Sequence, residues 1–160
     1  MKKIFAFLLT FIMALSTTCV AFAGEMPAPS NTYPAEYEYF DDGSYMVTTI
    51  TESSSAFARA TRSKTGSKTA KYYSSSGSAL WSVTVTGTFS YTGSSATCTS
   101  ASVSASSSSS AWKIGSKSAS KSGSTAKATA TAVKYNADGK ASQTATKTVT
   151  LTCGKTGELS

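Results

Sequence analysis

The sequence predicts an all-β chain folded as a small antiparallel β-sandwich. Apolar and polar residues alternate with period two in stretch after stretch, as in LWSVTVTGTFSYT, the pattern of strands with one buried and one wet face. Glycine-containing turn signals separate these stretches at intervals of about ten residues, which suits a sandwich better than an open sheet. Beyond the N-terminal apolar run, no segment repeats with the helical period.

The first element is a signal helix. Lys2 and Lys3 form a charged start, Ile4 to Leu15 is almost unbroken apolar sequence, and Ala21-Phe22-Ala23 gives the small-x-small pattern cut by a signal peptidase. Residues 1–23 therefore read as a signal peptide, with the mature chain starting at Gly24. Ser16-Thr17-Thr18 interrupts the apolar run, leaving it shorter than the roughly 20 residues a membrane span requires. The same three residues are a poor match to the Leu-Ala-Gly type of sequence before a lipidated cysteine, so a lipid anchor at Cys19 is the minor alternative. No later segment is long and apolar enough to hold the cleaved chain in a bilayer.

Residues 24–67 read as an acidic arm. GEMPAPSNTYPA holds all three prolines and is extended; EYEYF, the turn Asp41-Asp42-Gly43 and SYMVTTITES form a hairpin; Ser53 to Ser67 behaves as a linker. A basic sandwich domain follows over 68–160. In its first strand Trp81, Val83, Val85, Phe89 and Tyr91 share the inner face, and Gly87 in that register marks a bend, a bulge or a close crossing. TCTSASVSASS is the next strand, and AWKIGSKSAS places Trp112 and Ile114 on one face with Lys113 and Lys117 on the other. STAKATATAVKY alternates without declaring which face is inner, and TATKTVTLTC closes the fold with Val149, Leu151 and Cys153 inward.

AKYYSSSGSALWSVTVTGTF and KYNADGKASQTATKTVTLTCGK resemble one another. Each runs a tyrosine into a short turn with a glycine, Gly77 or Gly139, where a hairpin loop needs a positive φ. Turn chemistry explains the likeness without a duplication.

Loss of the signal leaves Cys98 and Cys153, and in an oxidising compartment a lone pair is most simply one disulfide. The order Cys98, Trp112, Cys153 resembles the immunoglobulin-like pattern, in which a tryptophan packs on an inter-sheet bridge. Leu151 stands where that pattern would put a tyrosine, so the resemblance implies an immunoglobulin-like architecture and not membership of the superfamily. More widely, DGSYMVTTI, LWSVTVTGTFSYTGSSATCTSASV, SKSGSTAKATATA and TKTVTLTCGKTGELS together resemble small uncharacterised secreted proteins of Firmicutes, gut Clostridia in particular. That resemblance implies secretion from a Gram-positive cell and carries no activity with it.

The chain has a formal net charge of +7 and no histidine. From Glu25 to Glu52 every ionisable side chain other than tyrosine is acidic, and from Arg59 to Lys155 only Asp138 interrupts the lysines and arginines. After Glu52 the carboxylates are Asp138, in a turn, and Glu158, near the end, which leaves little general acid or base equipment. Neither cysteine has a second thiol beside it, so no metal site is expected, and no cofactor motif is present. The lysines stand singly along strands, without a nucleic-acid-binding motif. A non-catalytic binding module is the reading that remains, secreted or associated with the cell wall. Anionic cell-wall polymers or glycans are its expected partners. Its candidate surface combines whichever of Tyr72 and Tyr73 faces solvent with a basic face of Lys113, Lys117, Lys121 and Lys127. The alternative is a cationic secreted effector, antimicrobial or bacteriocin-like, released when the acidic arm is removed as a prosegment near Arg59 or Arg62.

Overall fold

A computed structural model describes residues 33–53 and 62–160. The expected signal peptide with Ala21, Ala23 and Gly24, and the segment containing Arg59, lie outside the described residues.

Among the described residues the chain is all strand and turn. The strands are β1 (Glu36–Tyr39), β2 (Tyr45–Ser53), β3 (Arg62–Tyr73), β4 (Ala79–Tyr91), β5 (Ala96–Ser107), β6 (Trp112–Ser122), β7 (Thr125–Tyr135) and β8 (Ala141–Thr152). They form two antiparallel sheets, a five-stranded one in the order β1-β2-β3-β4-β5 and a three-stranded one in the order β6-β7-β8. The sheets pack face to face as a β-sandwich. Within each sheet every strand pairs with its neighbour in sequence, and the chain changes sheet once, between β5 and β6. The wider sheet packs on the narrower one through β3, β4 and β5, while β1 and β2 extend past β8.

This order corrects the immunoglobulin-like expectation. Both sheets are meanders, without the returning connection of a Greek key. Trp112 opens β6, whereas Lys121 near the end of β6 reaches the carbonyl of Thr99 beside Cys98. Nine strand residues at ~3.3 Å each separate Trp112 from Lys121 by roughly 30 Å along β6, which sets the tryptophan and that cysteine toward opposite ends of the sandwich. Trp112 instead packs against Trp81 at 6.4 Å and Tyr72 at 6.0 Å between ring centroids.

Two further expectations change with the structure. The stretch read as linker contains the first half of β3, from Arg62 to Ser67, and the acidic hairpin is not an arm: β2 pairs with β3 from Tyr45↔Tyr73 to Ser53↔Thr65. Lys113 and Lys117 do not share a face. The pairing of β6 with β7 shifts between Ile114 and Ser116, so that Lys113 opposes outward Val133 while Lys117 opposes buried Ala130.

Alternation decides the core. Trp81, Val83, Val85, Phe89 and Tyr91 of β4 are buried, with the intervening Ser and Thr on the other face. Against them β7 turns its alanines, Ala126, Ala128, Ala130 and Ala132, all fully buried. The alanine face of β7 is inward because the larger rings come from the opposite sheet, and small residues let the sheets approach. At Gly87 the crossing is close: a Cβ there would stand 3.0 Å from that of Ala126. Leu159, returning beside Cys153, closes the end of the sandwich over Gly66, where a Cβ would collide with it.

The two tyrosine-to-glycine stretches are the same turn used twice. Ser74 N–H donates to Ser78 O at 2.9 Å and Gly77 N–H to Ser74 O at 2.9 Å; Asn136 to Lys140 and Gly139 to Asn136 repeat both bonds at 3.0 Å. Gly77 and Gly139 hold φ of 80° and 74°, which glycine adopts without a Cβ clash. Phe40–Ser44 and Gly154–Glu158 close with the same bonds, so turn geometry and not a duplicated functional part carries the likeness.

Candidate binding surface

The outer face of the five-stranded sheet gathers four tyrosines, Tyr37, Tyr39, Tyr45 and Tyr73. In β1 and β2, Tyr37, Tyr39 and Tyr45 point away from buried Met46, and in β3 Tyr73 does the same beside buried Tyr72. The register sets Tyr39, Tyr45 and Tyr73 side by side across three strands. Their rings form a column: Tyr37 to Tyr39 at 6.4 Å, Tyr39 to Tyr45 at 5.7 Å, and Tyr45 to Tyr73 at 5.0 Å with ring planes 9° apart. Lys71 lies 5.5 Å over Tyr73 and covers that end. At the other end the rings are open, with Tyr37 59% and Tyr39 73% exposed.

Next to the column lies a face of hydroxyls. Three successive rows read Thr49–Thr69–Thr84–Ser104, Thr51–Ser67–Thr86–Ser102 and Ser53–Thr65–Thr88–Ser100 across β2, β3, β4 and β5. Between β3 and β4 the hydroxyls pair at 2.8 Å in the first two rows and 3.1 Å in the third.

The residues singled out from sequence divide between core, surface and edge. Tyr72 is the inward member of its pair, with its hydroxyl 2.7 Å from that of Ser44 and its ring edge-on to Phe40, Trp81 and Trp112. Tyr73 is outward and half-buried in the column. Lys113 sits 5.3 Å over the Tyr135 ring, and Lys127 stands on the outer face of the three-stranded sheet among threonines. Lys117 and Lys121 lie at the β6 edge, where Lys121 Nζ donates to Thr99 O at 2.5 Å. The four lysines are therefore split between a face and an edge. Missed in the sequence were Tyr37, Tyr39 and Tyr45, although EYEYF and SYM across a tight turn hold the signal.

A second polar feature lies where β1 and β2 overhang β8. A cleft of about 340 Å³ is lined by Glu36, Glu38, Lys68 and Lys147 with neighbouring threonines. Lys147 binds Glu38 at 2.6 Å, tying the acidic segment to the three-stranded sheet. Further along, Lys64 binds Glu52 at 2.9 Å, Tyr33 donates to the same carboxylate, and Leu159 N–H donates to Tyr33 Oη at 3.3 Å. Burial pulls the Lys64 ammonium down, but the hydrogen bond and charge of Glu52 outweigh it and hold the group above its ordinary value.

Cys98 in β5 and Cys153 just after the end of β8 come from opposite sheets, both buried and both thiols. Each is anchored by its backbone to the same β6–β7 turn, Cys98 N–H to Gly123 O at 2.7 Å and Cys153 N–H to Ser124 O at 3.0 Å. Burial raises both thiols above their ordinary value. The expected disulfide is thus not present in this structure, whereas the inward placement of both cysteines is.

A scan against protein-family models, a search of curated proteins and a search of solved structures each found no match to the chain.

Proposed function

We propose that the protein is a secreted, non-catalytic binding module that acts by surface contact outside the cell or on the cell envelope of a Gram-positive producer. The observation that carries this reading is the open aromatic column at Tyr37 and Tyr39 on a sheet face that, among the described residues, packs on no other element. Rings held by their neighbours present contact area at little cost in ordering. The carboxylates point the same way: Asp42 and Glu158 are held below their ordinary values by hydrogen bonds from Ser44 and Thr156, the reverse of a proton donor poised near neutral pH.

The acidic segment belongs to this reading as part of the working protein. It supplies β1, β2 and three of the four tyrosines in the column, so its removal as a prosegment would dismantle the surface. We further propose that Cys98 and Cys153 are oxidised to an inter-sheet disulfide after export, each thiol giving up one proton and one electron to a disulfide-exchange oxidant.

The test is cosedimentation of the mature chain with isolated Gram-positive cell walls, comparing the native protein with Tyr37→Ser/Tyr39→Ser. Retention that falls with the double substitution supports the reading. Absence of retention, or retention that ignores both tyrosines, overturns it.

A further inference from the structure

The hydroxyl rows and the aromatic column lie on one continuous face, and their chemistry narrows what that face can hold. From β2 to β5 the outward positions beside the column are serine or threonine, with Val47, Lys71 and, opposite Tyr73, Ala79 as the departures. Lys71 is already engaged over Tyr73. A polyanion would find almost no charge here, whereas Lys113 and Lys127 stand on the outer face of the other sheet. Electrostatic complementarity therefore argues against an anionic polymer on the five-stranded sheet.

What the face does offer is a regular field of donors and acceptors. Each hydroxyl has one proton and two lone pairs, so the Ser67–Thr86 and Thr69–Thr84 pairs keep acceptor capacity after bonding each other. The side chains of Thr49, Thr51, Ser102 and Ser104 have no partner among the described residues. Strands stand ~4.8 Å apart and outward residues along a strand roughly 6.7 Å apart. The first spacing is close to the length of one pyranose residue in an extended chain, so a flat polymer crossing the strands meets a new set of hydroxyls with each sugar.

We propose that the outer face of the five-stranded sheet binds a neutral, extended glycan of the β-1,4-linked type, laid across β2 to β5 over the hydroxyl rows, with a terminal sugar stacked on Tyr39 and Tyr37. The occupant is a glycan and not a second copy of the chain because the face is hydroxyl-covered rather than apolar. The three-stranded sheet supplies an internal comparison. It repeats the hydroxyl pattern, with Thr129–Thr148 at 2.8 Å and Thr131–Thr146 at 2.9 Å, but Lys127 breaks it and, among the described residues, a single Tyr135 under Lys113 stands there in place of a tyrosine column. This proposal rests on the binding-module reading and adds the ligand class and the site.

The experiment is retention of the mature chain on cellulose, on chitin and on cell walls bearing teichoic acid, at low and high salt. The variants are Tyr37→Ser/Tyr39→Ser, Thr84→Val/Thr86→Val and the matched Thr129→Val/Thr148→Val on the other sheet; valine keeps the shape and strand preference of threonine, and circular dichroism with a thermal melt checks that each variant folds. Expected are retention on cellulose or chitin that high salt leaves unchanged, a fall of about tenfold or more for the tyrosine and Thr84/Thr86 variants, and no change for Thr129/Thr148. Retention on teichoic-acid walls alone, lost at high salt, overturns the neutral-glycan proposal and leaves the binding module standing. Retention on neutral glycans that follows Thr129/Thr148, or a dimer in sedimentation that the tyrosine variant abolishes, overturns the site. Retention on none of the three overturns both.

Discussion

Met46→Ala separates an acidic segment that is built into the fold from one that hovers beside it. Met46 is 5% exposed and stands opposite Tyr72 in the β2–β3 register, in the core that also holds Ala70 and Trp81. Truncating a buried methionine costs about 2–5 kcal/mol, the transfer free energy plus the cavity left behind. The site adjoins the β1–β2 overhang, where the sheet is covered on one side only, so partial collapse places the loss near ~2–3 kcal/mol. For a domain of this size one kcal/mol moves the melting temperature by roughly 3–6 °C, giving a drop on the order of 10 °C. The assay is a thermal melt of the mature chain followed by circular dichroism, with Thr49→Ala as the control. Thr49 is exposed on the outer face of the same strand, and its change stays within about 1 kcal/mol. A Met46→Ala melt that superimposes on the native one would refute the built-in segment and restore the prosegment as a candidate.

Three other outcomes follow from the same packing. Leu159→Ala should lower the urea midpoint by the equivalent of about 2–4 kcal/mol, because Leu159 is 4% exposed and fills the end of the sandwich over Gly66; an unchanged midpoint would mean that the C-terminal turn is not docked. Under reducing conditions stability should decline as pH rises from about 9: the thiols of Cys98 and Cys153 and the phenol of Tyr33 are raised chiefly by burial, and Lys64 is raised because Glu52 outweighs its burial. A folded value above the unfolded one gives stability that is complete below the unfolded value and is lost above it, first near the ordinary 9.0 of the thiols and then near 10.0 and 10.5; a flat urea profile between pH 8 and 11 would contradict it. The exported protein should be two hydrogens lighter than the reduced chain by intact mass, and reduction should remove roughly 4 kcal/mol in the chain-entropy model; an exported protein with both thiols free would refute the bridge.

Much of the sandwich was legible because one-sided burial writes itself as alternation. In β4 and β8 the apolar register in sequence is the buried register in the structure. β7 was legible as a strand but not in orientation, since alanine against threonine does not declare an inner face; the large rings of β4 decide it from the opposite sheet. The first half of β3 was illegible because its inward positions are Lys64, Gly66 and Lys68, each explained only by a tertiary neighbour. Lys64 meets Glu52, Gly66 makes room for Leu159, and Lys68 lines the cleft under β1. Strand order was beyond periodicity altogether, and the spacing of Cys98, Trp112 and Cys153 misled because distance in sequence says nothing of which end of a strand a residue occupies. At the candidate surface, the opposite facing of Tyr72 and Tyr73 follows from a two-residue period. The column does not, since it depends on β1, β2 and β3 pairing in the register that sets Tyr39 beside Tyr45 and Tyr73.

The charge asymmetry of the sequence acquires a structural meaning from that pairing. Acidic residues concentrate in β1 and β2, which are the strands that overhang the smaller sheet, and basic residues lie where those strands land: Glu38 on Lys147 of β8, Glu52 on Lys64 of β3. Exposed ion pairs contribute little to stability, but inward charges also protect sheet edges from pairing with other chains. Lys147 is directed under β1 from β8, the strand whose far edge would otherwise be open. The acidic segment thus completes the larger sheet, shields an edge of the smaller one and carries the tyrosines outward. Under the proposed surface-binding role, those are three reasons for it to stay attached.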